Sequence, residues 1–275
     1  MSEHKGIWMK ILKHSILIAG AFLMLFPFFW ALSTSFKSLR EVFRNPFSLI
    51  PLHPTFGNYV ALFNKIPFAR YLLNSFIVAS LTTILQIVTA MLSAYAFSRL
   101  KFKGRNLIFY AFLATMMIPG QLLMIPQYLI VAKFGWINTY QGLILPYAAT
   151  AVTTFFLRQF FMSIPKDLED AAVIDGCNSL QVLVKIFLPL SKPAISTIAV
   201  FSFMWSWNSY FWPLLIVNVP QMRTVQLGLA MFRNEGGMQW GQFMAGSVIA
   251  TLPILIAYFF AQKHFIKSIT LTGLK

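Results

Sequence analysis

Residues 72–97 read LLNSFIVASLTTILQIVTAMLSAYAF, a run without one charged side chain. Wound as a helix rising 1.5 Å per residue, such a run crosses the roughly 30 Å hydrocarbon core of a bilayer. It is continuously apolar, whereas a barrel strand alternates and needs only about ten residues, so the reading is helical. Five further stretches share this character: residues 15–35, 107–132, 141–157, 193–217 and 244–261. The expectation is an all-α, polytopic membrane protein with six transmembrane helices, folded as a single domain over residues 1–275.

Composition agrees. Of 275 residues, 58% are hydrophobic and 11% charged, with 29 Phe and a mean hydropathy of +0.69. Soluble domains carry about 25% charged residues, so a water-facing enzyme or binding module is excluded. Disorder is excluded too, since a solvated chain does not tolerate so much apolar content. Lys plus Arg number 22 against 7 Asp plus Glu, a net charge of +15. In a soluble chain that would suggest nucleic acid. Here the basic residues sit between apolar runs rather than along one face, which suits cytoplasmic loops and implies no nucleic-acid partner. The single cysteine, Cys177, permits no intrachain disulfide and no Cys cluster for a metal.

Loop charge sets the orientation. Lys5, Lys10 and Lys13 precede the first run, Arg99, Lys101, Lys103 and Arg105 crowd the link after the second, and Lys263, Lys267 and Lys275 follow the last. The link between the third and fourth runs holds only Lys133. Both termini and the even-numbered links are therefore expected in the cytoplasm. The external segment 36–71 carries Lys37, Arg40, Arg44, Lys65 and Arg70, but charge counts less in a longer loop. The first run has a basic start and a small pair at Ala31 and Ser33, yet it is too long for a signal peptide and holds Pro27 among aromatics. It reads as a retained helix.

The runs contain no Asp, Glu, Lys, Arg or His, and His4, His14, His53 and His264 lie at ends or in loops. No proton relay, intramembrane protease or metal site can be assembled from such cores. No G-x-x-x-x-G-K-[ST] sequence is present to cradle ATP phosphates. The chain is thus expected to be no enzyme, with no catalytic or metal-binding residues, and to form a pathway driven from elsewhere. Pro119-Gly120, Pro126, Pro146, Pro213 and Pro253 interrupt the later runs. Such breaks either line a path or serve packing.

Four of the seven acidic residues, Asp167, Glu169, Asp170 and Asp175, fall in the link at residues 163–190. Pro165 suits a first helical turn, the early acids suit the positive end of the helix dipole, and Gly176 suits a stop. Leu168, Ala171 and Ala172 share a face on which small side chains admit another surface. Ser179 is placed to cap a second short helix that Pro189 ends. The segment reads as a compact cytoplasmic helix–turn–helix, or else as an ordinary solvated loop.

Its residues carry a resemblance. Asp170-Ala171-Ala172, three residues, Gly176, nine residues, Ile186, one residue and Leu188-Pro189 resemble the E-A-A-x3-G-x9-I-x-L-P signature of ABC importer permeases. The departure is Asp170 for the glutamate, with Glu169 just before it as the alternative bearer of that role. The chain also looks like the maltose-type, carbohydrate-uptake permeases. The stretches that carry this are Phe26-Pro27, Ser33-Thr34-Ser35-Phe36-Lys37, Phe56-Gly57-Asn58-Tyr59, Asn74-Ser75, Ala94-Tyr95-Ala96-Phe97-Ser98-Arg99 and Trp207-Asn208 through Trp212-Pro213-Leu214.

The resemblance implies a type I ABC importer permease in a bacterial or archaeal cytoplasmic membrane. It implies a second permease subunit of different sequence, two ATPase subunits carrying ATP and magnesium, and an extracellular solute-binding protein delivering a sugar or oligosaccharide. A polyol, glycerol phosphate or other small solute is the alternative cargo. Glu169, Asp170, Ala171, Ala172, Asp175 and Gly176 would sit in the contact with the ATPase, and Ile186, Leu188 and Pro189 would anchor it to the fifth run. Trp205, Asn208, Ser209 and Trp212 recur at i, i+3, i+4 and i+7 of that run and are candidates for the substrate path. Helix packing and an interfacial aromatic belt are the plainer account of the same four, and the preferred one. Segments 36–71 and 218–243, the latter with Gly236-Gly237 and Trp240, are expected to receive the binding protein, to cap the helices, or both.

Overall fold

The computed structural model describes residues 2–234 and 237–272. Gly236 and Lys275 therefore lie outside the described residues, as do the side chains of Lys5, Lys263 and Lys267. In chain order the helices are α1 (Ser2–Ser35), α2 (Leu39–Arg44), α3 (Gly57–Lys65), α4 (Phe68–Ser98), α5 (Arg105–Ala114), α6 (Gly120–Lys133) and α7 (Tyr140–Ile144). They continue as α8 (Ala151–Ser163), α9 (Lys166–Ile174), α10 (Ser179–Val182), α11 (Leu188–Leu190), α12 (Lys192–Trp207), α13 (Phe211–Ile216), α14 (Val225–Leu229) and α15 (Trp240–Thr272). Among the described residues the only strands form a two-residue antiparallel ladder, Arg233 opposite Met238 and Asn234 opposite Gly237.

Three helices are long and apolar enough to cross a membrane: Met9–Ser35 within α1, α4, and Trp240–Phe259 within α15. Two bent pairs raise the number to five if each is one span, Arg105–Met117 with Gly120–Lys133 at 103° and Ser179–Leu190 with Lys192–Trp207 at 80°. The first bend falls where Pro119 holds extended backbone (φ −56°, ψ 126°) ahead of Gly120. Pro126 lies inside α6 without breaking it. The run at 141–157 is two helices, α7 and α8, separated by a 3₁₀ turn at Leu145–Tyr147 around Pro146. Thr150 restarts it by accepting the Thr153 N–H at 3.3 Å. In the run at 193–217 the break comes at Asn208–Tyr210, not at Pro213. Pro213 lies in the first turn of α13, where its missing N–H has no intrahelical partner to lose.

The chain packs as two compact units, one running through Phe68 together with Gly228–Leu252, the other Ala69–Leu227 with the chain from Pro253 onward. In the first unit the apolar window of α1 is wholly uncovered. Beyond it, residues 36–56 fold tightly onto the helix end. Asn58 donates to the carbonyls of Ser35 and Lys37 at 2.9 and 2.8 Å, and the hydroxyls of Ser35 and Tyr59 meet at 2.8 Å. Phe36 packs on Phe56 and Tyr59, each at 5.3 Å between ring centres. Lys37 is fully buried, and its ammonium donates to the carbonyls of Asn45 and Ser48. Two stretches noted separately in the sequence, residues 33–37 and 56–59, are thus one contact.

In the second unit, α4 is the axis. One apolar cluster gathers Ala90, Ala94 and Tyr95 of α4 with Leu157 and Phe161 of α8, Ala172 of α9, Phe187 and Ile198. Another gathers Val78 of α4 with Leu143, Ile144, Trp212 and Ile216. Asn74, buried, donates to the carbonyls of Gln221 and Arg223 and accepts from the Tyr140 hydroxyl at 2.7 Å. Ser75 accepts the Val225 N–H at 2.8 Å. Asn74 and Ser75 thus find partners within the unit, as buried polar groups generally do, whereas the buried hydroxyls of Thr82 and Thr83 further along α4 have none among the described residues.

Candidate functional site

The acidic loop folds as two short helices joined by a tight turn. Asp167 and Glu169 occupy the first turn of α9, where unpaired N–H groups favour negative charge. Its C-terminus closes as a Schellman motif: Cys177 N–H bonds the Ala172 carbonyl at 2.9 Å and Gly176 N–H bonds the Val173 carbonyl at 3.0 Å. Gly176 takes φ +82°, the left-handed conformation that motif demands, with nothing within 4 Å of the position a Cβ would occupy. Pro165 stands one position ahead of the helix rather than in its first turn.

Asn178, not Ser179, caps the second helix. It forms a reciprocal capping box with Gln181, each side chain meeting the other's backbone N–H at 2.9 Å. Nor does Pro189 end that helix. After α10 the chain widens into a π-helical turn at Leu183–Phe187 and carries helical backbone to Leu190. The widened ladder, with Leu188 N–H reaching back to the Leu183 carbonyl, leads directly into a proline that has no N–H to give.

Burial sorts the loop's side chains. Ala172, Phe187 and, in part, Ile186 and Leu188 face the apolar cluster on α4 and α8. Leu168, Ala171, Asp170, Asp175, Gly176 and Pro189 are exposed. The two alanines therefore part company, Ala172 turned inward and Ala171 outward. The two neighbouring acids part as well. Glu169 accepts the Tyr95 hydroxyl at 3.0 Å and lies 3.6 Å from Arg99 Nε. Asp170 is exposed and, among the described residues, makes no hydrogen bond or ion pair. It borders an open cavity of about 970 Å³ that Arg99, Lys101, Arg105 and Lys166 also line.

A second cavity, about 870 Å³, brings together all four candidates of the fifth apolar run. Trp205, Asn208, Ser209 and Trp212 line it with Gln86, Gln121, Tyr147, Thr150 and Tyr210. Because α12 stops at Trp207, they do not share one continuous helical face; the break itself swings them to a common side. Their roles differ. Trp212 is buried, donates its indole N–H to the Gly142 carbonyl at 3.0 Å and meets Tyr147 edge-on at 5.8 Å. Trp205 is half exposed, 4.8 Å from the Tyr147 ring. Gln86 and Tyr147, far away in sequence, carry no local motif that marks them; Gln86 donates to the Tyr147 carbonyl at 2.8 Å. Among the described residues no three His, Cys, Asp or Glu side chains gather as a metal site.

Residues 86–271 match the family model described as the inner membrane component of binding-protein-dependent transport systems. The chain is 38% identical to the trehalose/maltose transport system permease protein of Thermococcus litoralis, over 97% of this chain and 98% of that one. It is 35% identical to the sn-glycerol-3-phosphate transport system permease protein of Pectobacterium atrosepticum, covering 95% and 96% of the two chains. It is also 35% identical to the arabinooligosaccharide transport permease of Bacillus subtilis, covering 92% and 91%. In structure it is similar to a chain of a bacterial ABC transporter that imports the acidic polysaccharide alginate. The TM-score is 0.83 at 25% identity, over 94% of this chain and 96% of that one.

Proposed function

The chain belongs to the family of inner membrane components of binding-protein-dependent transport systems, and we propose that its cargo is a sugar or oligosaccharide. As a member it is a multi-pass ABC importer permease of the type I fold, a non-catalytic transmembrane subunit whose ATP is bound by a separate ATPase subunit. The observation that carries the cargo assignment is the lining of the cavity at α12–α13. Aromatic faces at Trp205, Tyr147 and Tyr210 stand beside the amides of Gln86, Gln121 and Asn208 and the hydroxyls of Ser209 and Thr150. Aromatic faces stack on sugar rings, and amides and hydroxyls meet ring hydroxyls. Similarity to sugar permeases points the same way.

A glycerol phosphate is the second reading, favoured by the similarity to the sn-glycerol-3-phosphate permease. A phosphate dianion held out of water needs cationic donors, and the described lining of this cavity holds neither Lys nor Arg.

The working complex pairs this chain with a second, different permease and two ATPases, and receives cargo from an extracellular solute-binding protein. Six spans fold as one permease domain with both termini in the cytoplasm. Residues 163–190 form the coupling loop: Asp170, Ala171, Asp175 and Gly176 face the ATPase, while Ala172, Ile186 and Leu188 tie the loop to the spans. Segments 36–71 and 218–243 meet the binding protein. The test is ATP hydrolysis by the co-purified complex, screened with cargo-loaded binding protein across sugars, polyols and glycerol phosphate. Stimulation by a sugar supports the assignment; stimulation by glycerol phosphate alone overturns it.

A further inference from the structure

Arg99, directly after α4, reaches three other segments with one guanidinium. Its Nη2 donates to the carbonyls of Phe161 and Ile164 at the end of α8, at 2.7 and 2.5 Å. Its Cζ sits 5.1 Å from the centre of the Phe187 ring in the π-helical turn. Its Nε faces Glu169 Oε2 of α9 at 3.6 Å, and the Arg99 side chain is only 4% exposed. One turn earlier on α4, Tyr95 donates to the other Glu169 oxygen at 3.0 Å and packs edge-on against Phe187 at 5.2 Å.

These contacts are unequal. The two carbonyl bonds fix the guanidinium to the end of α8, where the Phe161 carbonyl also accepts the Ile164 N–H at 3.2 Å. The contact to α9 is longer than a hydrogen bond, and Arg99 Nε is buried without a hydrogen-bond partner. A shift of roughly 0.8 Å in Glu169 would bring the pair to about 2.8 Å, the length of a charge-assisted bond. The Tyr95 hydrogen bond and the Arg99 ion pair hold Glu169 from two sides and so tie α9 to α4.

We propose that Arg99 is a positioning residue for transport: through Glu169 it makes α4 follow the movement of α9. The proposal rests on the coupling role of the 163–190 loop. It also assigns the neighbouring acids separate tasks, Glu169 inward to α4 and Asp170 outward.

The experiment uses the assembled complex in proteoliposomes. Arg99→Gln can abolish assembly by emptying a buried site, so Glu169→Gln carries the test. Cargo taken up per ATP hydrolysed is expected to fall about ten-fold while the complex still assembles. The second readout is a spin-label distance between Leu92→Cys on α4 and Val173→Cys on α9, in a Cys177→Ser background. With Glu169 intact the distance is preserved when ATP binds; with Glu169→Gln it changes. Unaltered uptake per ATP, or the same distance change in both proteins, overturns the proposal. Gly176→Trp separates the two layers. If it uncouples transport and Glu169→Gln does not, the Arg99 joint falls and the loop reading stands; if neither uncouples, both fall.

Discussion

Trp212 and Gly142 hold two broken apolar helices together: the indole N–H of Trp212 donates to the Gly142 carbonyl at 3.0 Å, in the interior of the second unit. The same residue must be glycine for a separate reason, the close approach of the Trp136 backbone. A Cβ on Gly142 would overlap the backbone carbonyl oxygen of Trp136, and the Val131 side chain would lie 3.2 Å away. Backbone cannot move aside as a flexible side chain does. Gly142→Ala is expected to destabilise the protein by roughly 1–3 kcal/mol, the cost of overpacking a tight site. The check is thermal unfolding of the purified protein in detergent; an unchanged midpoint would contradict it.

The Asn58 amide is one of several ties on the segment after α1, and it bridges two of its carbonyls. Asn58→Ala would strip the carbonyls of Ser35 and Lys37 of their side-chain donor, beside the fully buried Lys37. Each buried group left unsatisfied costs about 1–3 kcal/mol. The expected outcome is faster proteolysis within residues 38–56 while membrane insertion continues, followed by limited digestion of inverted and right-side-out vesicles. Equal cleavage rates in variant and wild type would rule the tether out.

Trp205 and Trp212 line the same cavity, but only Trp205 presents a half-exposed ring. If a sugar stacks there, Trp205→Ala should lower maximal uptake about three- to ten-fold at saturating binding protein, with complex abundance unchanged. Trp212→Phe should instead lower thermal stability, because it removes the donor to Gly142. Matching effects of the two variants on uptake and stability would remove the distinction between path and packing.

Much of this was legible from residue pattern. The run at 72–97 is the central part of α4, and the runs at 15–35 and 244–261 lie within α1 and α15. Prolines were poorer guides than expected, for a local reason. Pro119 follows extended backbone and breaks the chain's course, whereas Pro126 and Pro253 lie inside helices and Pro213 falls in the first turn of one. The cap on α10 was misplaced by one residue because Asn178 and Ser179 both cap well; Gln181, three positions after Asn178, decides between them. Arg99 and Glu169 were each noted, but nothing local joins residues 70 positions apart. Nor does helical spacing explain why Trp205 and Trp212 share a cavity, since the helix stops between them. These relationships are set by packing between elements, which periodicity within an element does not report.

The most direct test of coupling is at Gly176, exposed and with open space around its Cβ position. A side chain there starts into open space, with nothing within 4 Å of its Cβ, and adds the backbone strain of its positive φ, about 1–2 kcal/mol. It would, however, obstruct any protein that covers the turn. The measurement is ATP-driven sugar uptake by proteoliposomes carrying the complete complex, wild type against Gly176→Trp at equal abundance in the membrane. The account predicts that the variant inserts normally and loses uptake. Wild-type uptake by Gly176→Trp would contradict it.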